Sequence, residues 1–183
     1  MPTAVDNFIV GMANNKGNIV DKFGLDQTGT IAYQFNNQGF RDTRDYTFVP
    51  DYAFFGCSLV FGIGVDHAST FVSQFPNSHN YGLAGKYSDQ DVYETIQNFL
   101  KSDLCNPLSK KVVVWKNQSC SNLHHYYQKL KPFNFVHFFC YNPVLESDCF
   151  SVPKELDQDV SLTHMGPKTH KFFYQILCTI LNQ

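Results

Sequence analysis

Short apolar runs divide the chain into segments that alternate between strand-like and helix-like patterns. Runs of apolar and β-branched residues bounded by turn residues predict β-strands. These strands are expected over residues 52–55, 78–81, 111–115 and 133–141. The run at 111–115, Lys-Val-Val-Val-Trp, is continuous and β-branched, which predicts a strand that is buried on both faces.

Apolar residues at helical spacing predict helices between these strands and after the last one. The helices are expected over residues 69–75, 89–100, 121–130 and 168–181. Ser88 is the predicted N-cap of the second of these, because Asp89 and Asp91 follow in the first turn, where the helix dipole favours acids. The acidic stretch 146–159 has no clear period and predicts an irregular surface loop.

The alternation of strands and helices predicts an α/β fold with a parallel sheet that is covered by helices on both faces. The expected architecture is a three-layer α/β/α sandwich with a flavodoxin-like parallel sheet. A chain of 183 residues suits one domain, 1–183. Residues 1–50 are polar and rich in glycine, and they are interpreted as a lead-in that wraps this domain.

Composition removes several classes of function. The formal net charge of −2 offers no electrostatic case for binding nucleic acid or an anionic membrane surface. No apolar run approaches the roughly 20 residues of a spanning helix, and the N-terminus does not resemble a signal peptide, so a cytoplasmic location is expected. The six cysteines form no Cys-x-x-Cys pair, which predicts free thiols and neither a metal site nor a cofactor.

Four polar residues or glycines follow predicted strands or precede the last helix. The four are Ser58, Gly85, Asn117 and His164. Ser58 follows the end of the first strand at Gly56 and the intervening Cys57. The carboxyl ends of parallel strands lie along one edge of a sheet, so these groups are expected to converge.

The converging groups have the chemistry of acyl transfer. Ser58 and His164 supply a nucleophile and a base, and the Gly85 N–H and the Asn117 amide supply donors for an oxyanion. The alternatives are that Ser58 is a turn residue that caps the next helix, that Asn117 caps a turn, and that His164 is an ordinary surface histidine.

Four short blocks in this order resemble the SGNH (GDSL-type) hydrolase family. The blocks are Gly56-Cys57-Ser58 with a glycine-rich continuation to Val65, Asn80-Tyr81-Gly82-Leu83-Ala84-Gly85, Trp115-Lys116-Asn117-Gln118, and Ser161-Leu162-Thr163-His164. The Asn37-Gln38-Gly39-Phe40-Arg41 turn also looks like the lead-in of some members. The resemblance implies the SGNH hydrolase fold and a serine esterase or acylhydrolase. Its substrate would be a small-molecule or glycan ester with a short acyl group such as acetyl.

Two positions depart from the family pattern. Cys57 stands where the family has an aspartate beside the nucleophile, and Ser161 stands where an aspartate orients the catalytic histidine. Ser161 itself, a backbone carbonyl, or Asp159 or Asp157 from the acidic loop would then have to orient His164. The alternative function is a catalytically weakened or inactive SGNH-fold module that binds a glycan or serves a structural role. Cys57 is interpreted as an inert thiol, with a thiol nucleophile as the alternative.

Overall fold

Five parallel strands form the sheet at the centre of the fold. A computed structural model describes residues 33–84, 87–116, 123–140, 149–152, 156–158 and 165–182. The strands are β1 Tyr52–Gly56, β2 Ser78–Gly82, β3 Lys110–Trp115, β4 Phe135–Phe139 and β5 Cys149–Ser151. Their order across the sheet is β2-β1-β3-β4-β5, and every neighbouring pair is parallel. The α/β class and the four predicted strands are confirmed.

Four helices and three short 3-10 turns accompany these strands in the described part of the chain. The helices are α1 Ser58–Phe61, α2 Asp89–Leu100, α3 Leu123–Leu130 and α4 Pro167–Leu181, and the 3-10 turns are His67–Ser69, Val72–Gln74 and Lys131–Phe133. Within these residues no helix has the length and apolarity that crossing a membrane requires.

The predicted helix over 69–75 is wrong. Two 3-10 turns lie in this region, and Thr70 between them has an extended backbone with ψ of 147°. The Thr70 side chain accepts a hydrogen bond from the Ser73 N–H at 3.3 Å. Threonine hydroxyls offer the backbone such alternatives to a continuous helix, so the segment turns twice instead of forming one helix.

The predicted irregular loop over 146–159 is also wrong in part, because it contains the edge strand β5. Cys149 and Ser151 pair with β4 opposite His137 and Phe139. A three-residue strand among polar residues has too short a pattern to be recognised by period. It exists because the open edge of β4 offers backbone donors and acceptors that a neighbouring segment can satisfy.

The start of α2 confirms the predicted N-cap. The Ser88 hydroxyl accepts a hydrogen bond from the Asp91 N–H at 3.4 Å, and the Asp91 carboxylate accepts one from the Ser88 N–H at 2.6 Å. This reciprocal capping box satisfies two donors that the first turn leaves without helical partners. It fixes where α2 begins, and α2 begins beside the candidate site.

Alternate residues of the central strands enter two separate apolar clusters. On β3, Val113 and Trp115 pack with side chains of α2 and α3, whereas Val112 and Val114 pack with side chains of α1 and α4. The two-residue period of a strand places these sets on opposite faces of the sheet. Both faces are therefore apolar, as the continuous run at 111–115 predicts.

Arg41 fastens the lead-in to the segment that follows α1. Its guanidinium is buried and donates hydrogen bonds to the carbonyls of Phe61 at 3.1 Å, Gly62, and Val65 at 2.6 Å. The Tyr33 ring lies 4.5 Å from the guanidinium carbon, within cation–π range. Burial lowers the pKa of Arg41 to about 10, so the group remains charged near neutral pH and holds the glycine-rich segment in place.

Candidate functional site

The β1–α1 junction places Ser58 at the carboxyl edge of the sheet. β1 ends at Gly56, Cys57 is the N-cap of α1, and Ser58 is the first residue of that helix. A Cβ at Gly56 would lie 2.6 Å from the Val114 carbonyl oxygen, and φ of this residue is +157°. Only glycine fits such a close approach to the neighbouring strand, so Gly56 sets the direction in which the chain leaves β1.

This junction lies where the strand order reverses. β1 has β2 on one side and β3 on the other, and the chain passes from β2 across β1 to reach β3. In open α/β sheets, ligands bind in the crevice outside the carboxyl ends of the strands at this switch point. Ser58 follows β1, and Lys116 follows β3, so both lie at the position where that rule places a ligand.

The Ser58 hydroxyl is not used to cap α1. The alternative that Ser58 caps the helix is wrong, because Cys57 occupies the N-cap position and makes no side-chain capping bond. The Ser58 carbonyl accepts the N–H groups of Gly62 at 2.9 Å and Ile63 at 3.2 Å, which closes α1. Ser58 is half-buried, and within the described ranges its hydroxyl has no hydrogen-bond partner. The hydroxyl is thus both reachable and uncommitted to these residues.

The end of β2 is tied to the end of β1. The Leu83 N–H donates to the Gly56 carbonyl at 2.8 Å. Gly82 packs so closely on α1 that a Cβ there would lie 2.6 Å from the Phe61 Cα. These contacts bring the segment that leads to Gly85 against the β1–α1 junction.

A buried carboxylate anchors the end of β3. Asp89, at the start of α2, is 4% exposed, and its Oδ1 accepts a hydrogen bond from the Lys116 N–H at 2.8 Å. The bond fixes the backbone immediately before Asn117. Sequence patterns attribute only a helix-dipole effect to Asp89, because nothing local shows that it reaches a residue 27 positions away.

Asp157 is engaged at the start of α4. Its carboxylate accepts the Lys168 N–H at 2.9 Å, the Thr169 N–H at 2.8 Å and the Thr169 hydroxyl at 2.8 Å. Burial alone would raise the pKa of the Asp157 carboxyl, but these hydrogen bonds hold that pKa below its usual range. Asp157 therefore serves as a capping carboxylate for α4, because the N-cap residue Gly166 has no side chain that could accept these bonds.

The residue that follows His164 packs against the apolar cluster to which Cys57 and Leu59 belong. Met165 forms an isolated antiparallel bridge with Gln158 and packs against the apolar cluster that contains Cys57 and Leu59. Those two residues flank Ser58 in the sequence. The backbone one residue after His164 is therefore held against the same apolar cluster as the neighbours of Ser58.

Five predicted site residues lie outside the described residues, so their positions remain predictions. They are Gly85, Asn117, Asp159, Ser161 and His164. Their described neighbours Ala84, Lys116, Gln158 and Met165 are the nearest points of reference.

Two thiols meet next to Ser58. The Sγ atoms of Cys57 and Cys140 are 3.9 Å apart, within the range of a sulfur hydrogen bond. That bond from Cys140 lowers the pKa of Cys57, against the effect of burial, and the same bond together with burial raises the pKa of Cys140. No local pattern in the sequence pairs these cysteines, because they are 83 positions apart.

One buried histidine, His170, and one cavity are further features of the described region. His170 is buried, and its Nδ1 accepts the Phe71 N–H at 3.2 Å. Among the described residues no group of His, Cys, Asp or Glu is arranged to hold a metal ion. A cavity of about 490 Å³ is lined by Arg44, His67 and Ser78, among others. Ser78 begins β2, which places this cavity at the end of that strand opposite to the Ser58 edge.

No protein-family model matches the chain, and no curated protein matches it either. The candidate site is therefore interpreted from its own geometry and from the resemblance of its motifs.

Proposed function

We propose that this protein is a metal-independent serine esterase or acylhydrolase of SGNH type that cleaves short-chain esters. The observation that carries the proposal is the position of Ser58. It stands at the carboxyl end of β1, at the switch point of the sheet, with a half-buried hydroxyl that does not cap its own helix. A nucleophile at this position can meet a substrate in the crevice that α/β sheets use for ligands.

The proposed mechanism is acyl transfer through a covalent intermediate. The Ser58 Oγ attacks the ester carbonyl while His164 takes the hydroxyl proton, and His164 then returns that proton to the leaving alcohol. The N–H groups of Ser58 and Gly85 and the amide of Asn117 hold the oxyanion, and each such donor lowers the barrier by roughly 3 kcal/mol. Water, activated by His164, then releases the acyl group.

Three contacts support convergence of these groups. The Leu83 N–H is bonded to the end of β1, and Leu83 precedes Gly85 by two residues. Asp89 holds the backbone of Lys116, which directly precedes Asn117. Met165, which directly follows His164, packs on the apolar cluster that includes Cys57 and Leu59, the two neighbours of Ser58 in the chain.

The fold supports the same assignment. The order β2-β1-β3-β4-β5 is the order of flavodoxin-like doubly wound sheets, and helices contribute to an apolar cluster on each face of β3. We therefore propose that the whole chain is a three-layer α/β/α sandwich of the SGNH hydrolase fold. No large apolar insertion covers Ser58 within the described residues, which favours a short acyl group such as acetyl, carried on a small molecule or a glycan.

A second candidate is a catalytically weakened or inactive module of the same fold that binds a glycan or serves a structural role. The specific observation in its favour is that Asp157 accepts three hydrogen bonds from the start of α4. A carboxylate engaged in this way is a poor candidate to orient His164. Ser161 and Asp159 then remain as orienting groups, and a histidine without a carboxylate partner is a less effective base.

The test is hydrolysis of p-nitrophenyl acetate together with labelling by a serine-directed fluorophosphonate. The proteins are the wild type, Ser58→Ala, His164→Gln and a control, Ser151→Ala. Ser151 suits the control because it is an exposed serine at the end of β5, on the same edge of the sheet. We expect labelling to disappear in Ser58→Ala and to slow strongly in His164→Gln, which lacks the base that activates Ser58. Turnover is expected to fall steeply in both site variants, and both readouts are expected to stay unchanged in Ser151→Ala.

Acyl chain length tests the substrate class in the same assay. The acetyl ester is expected to be turned over faster than the octanoyl ester, because the described residues contain no apolar insertion over Ser58 that could cover a long chain. Absence of labelling in a wild-type protein with a folded circular dichroism spectrum would reject the esterase. Binding to an array of glycans would then be measured to test the second candidate.

A further inference from the structure

The thiols of Cys57 and Cys140 are brought together by the ends of two different strands. Cys57 follows β1 and Cys140 follows β4, with β3 between these strands in the sheet. The Cys140 N–H donates to the Trp115 carbonyl at 3.0 Å, which holds the backbone of Cys140 against the end of β3. The two sulfurs lie 3.9 Å apart although the residues are 83 positions apart in the chain.

This separation is suited to reversible bond formation. A disulfide has its sulfurs about 2.05 Å apart, so the pair must close by about 2 Å. Rotation about the two Cα–Cβ bonds and a small shift at the strand ends can supply that distance, because neither thiol lies within a strand or the body of a helix.

The two thiols are not equivalent. The hydrogen bond from Cys140 and the nearby charge of Lys116 lower the pKa of Cys57, while burial and Asp89 act in the opposite direction. Burial and the same hydrogen bond raise the pKa of Cys140. A lower pKa favours the reactive thiolate form, so Cys57 is the better candidate for the attacking thiol and Cys140 for the resolving thiol.

We propose that Cys57 and Cys140 form a redox modification site that a small hydroperoxide converts reversibly from the dithiol to a disulfide beside Ser58. The size of the oxidant follows from burial, because Cys57 is 6% exposed and Cys140 is half-buried. Hydrogen peroxide reaches such a site, whereas a protein disulfide would need an exposed sulfur to attack.

The reaction balances in two steps. The Cys57 thiolate attacks one peroxide oxygen, the O–O bond breaks, and the second oxygen leaves as hydroxide and is protonated to water, which leaves a sulfenic acid on Cys57. The Cys140 sulfur then attacks the Cys57 sulfur, the S–S bond forms, and the sulfenic oxygen leaves as a second water with the Cys140 proton. The dithiol loses two electrons and two protons, and the peroxide is reduced to two waters.

A disulfide here would alter the candidate site. Cys57 is joined by its peptide bond to Ser58 and is the N-cap of α1. Closing the sulfurs pulls this junction toward β4 and displaces the Ser58 hydroxyl. A displacement near 1 Å lowers the rate of a positioned reaction by about 100-fold. This consequence for acyl transfer rests on the proposed function, whereas disulfide formation does not.

Peptide mapping of the full chain under non-reducing conditions tests the site. The wild type is treated with hydrogen peroxide, digested and analysed by mass spectrometry, with and without later reduction by dithiothreitol. The variants are Cys57→Ala, Cys140→Ala and a control, Cys178→Ala, which removes a half-buried thiol of α4. We expect a linked Cys57–Cys140 peptide, two hydrogen atoms lighter than the separate thiol peptides, in the wild type and in Cys178→Ala.

The variants report on the order of the steps. Cys140→Ala is expected to retain a sulfenic acid on Cys57 that dimedone traps, and Cys57→Ala is expected to leave Cys140 unmodified. A peroxide-treated wild type that contains no linked peptide, and whose circular dichroism spectrum is that of the folded protein, would overturn the proposal even if a variant failed to fold.

Fluorophosphonate labelling separates this proposal from the proposed function. If Ser58 is a nucleophile, its labelling in the wild type is expected to slow about 10-fold or more after oxidation and to recover with dithiothreitol. If Ser58 is never labelled, the esterase fails while the linked peptide still decides the redox site.

Discussion

Replacement of Arg41 by methionine removes a buried cation while nearly preserving side-chain bulk. The guanidinium donates to the carbonyls of Phe61, Gly62 and Val65, and methionine offers no donor to any of them. The variant therefore tests whether one residue of the lead-in fastens the segment after α1. Arg44→Met is the matched control, because it makes the same change in charge and bulk three residues away, on a side chain that is 48% exposed.

The magnitude follows from two opposing contributions. A buried carbonyl left without a donor costs about 2 kcal/mol, so the Phe61 and Val65 carbonyls together would cost about 4 kcal/mol. The Gly62 carbonyl keeps the Val65 N–H at 3.5 Å, so its lost bond to Arg41 costs about 1 kcal/mol. The lowered pKa of Arg41, about 10, corresponds to a penalty of about 3 kcal/mol for keeping the charge buried, and the variant is relieved of that penalty. The net loss of unfolding free energy in Arg41→Met is expected to be about 2 kcal/mol.

The control is expected to lose less than about 1 kcal/mol. Arg44 donates one hydrogen bond to the Ser78 carbonyl at 3.1 Å, and its Nε lies 3.7 Å from the Asp42 carboxylate. Urea unfolding followed by tryptophan fluorescence measures both variants, because Trp115 is the single tryptophan and is fully buried. Equal losses in the two variants, at unchanged dependence on urea, would refute the claim that Arg41 fastens the segment.

Three further predictions use the same urea assay. Ser88→Ala removes the capping box of α2 and is expected to lower the unfolding free energy by about 1 kcal/mol; an unchanged midpoint would mean that the cap is not formed in solution. Burial lowers the pKa of His79 from 6.5 to about 4, so the folded protein excludes a proton that the unfolded chain accepts. The contribution of neutral His79 to the free energy of unfolding is therefore fully present above about pH 6.5 and is lost as the pH drops toward 4. His79→Phe should flatten this dependence of stability on pH, and an equally steep pH profile in the variant would assign the dependence to other groups. Gly82→Ala places a Cβ 2.6 Å from the Phe61 Cα. It is expected to lower the free energy of unfolding by about 1–3 kcal/mol and to slow the labelling of Ser58. Stability and labelling equal to those of the wild type would contradict the close packing of β2 on α1.

Local patterns in the sequence were sufficient for the elements whose own residues define them. The strand at 111–115 is a continuous β-branched run. α2 begins directly after its N-cap Ser88, because the Ser88 hydroxyl accepts the Asp91 N–H and the Asp91 carboxylate accepts the Ser88 N–H. The alternation of such segments predicted the parallel sheet, and the glycine and serine after the first strand predicted that Ser58 lies at its carboxyl edge. Each of these inferences depends on residues within a few positions of one another, where period and propensity carry information.

Tertiary structure alone decided the features that join distant residues. β5 is a strand because β4 presents an open edge, and the Cys57–Cys140 contact exists because two strand ends meet 83 residues apart. The Asp89 carboxylate accepts a hydrogen bond from the backbone at the end of β3, and the Asp157 carboxylate accepts one from the start of α4. No local pattern assigns either carboxylate these partners. A side chain's partner across the fold is set by how the sheet and helices pack, and no local period records that packing.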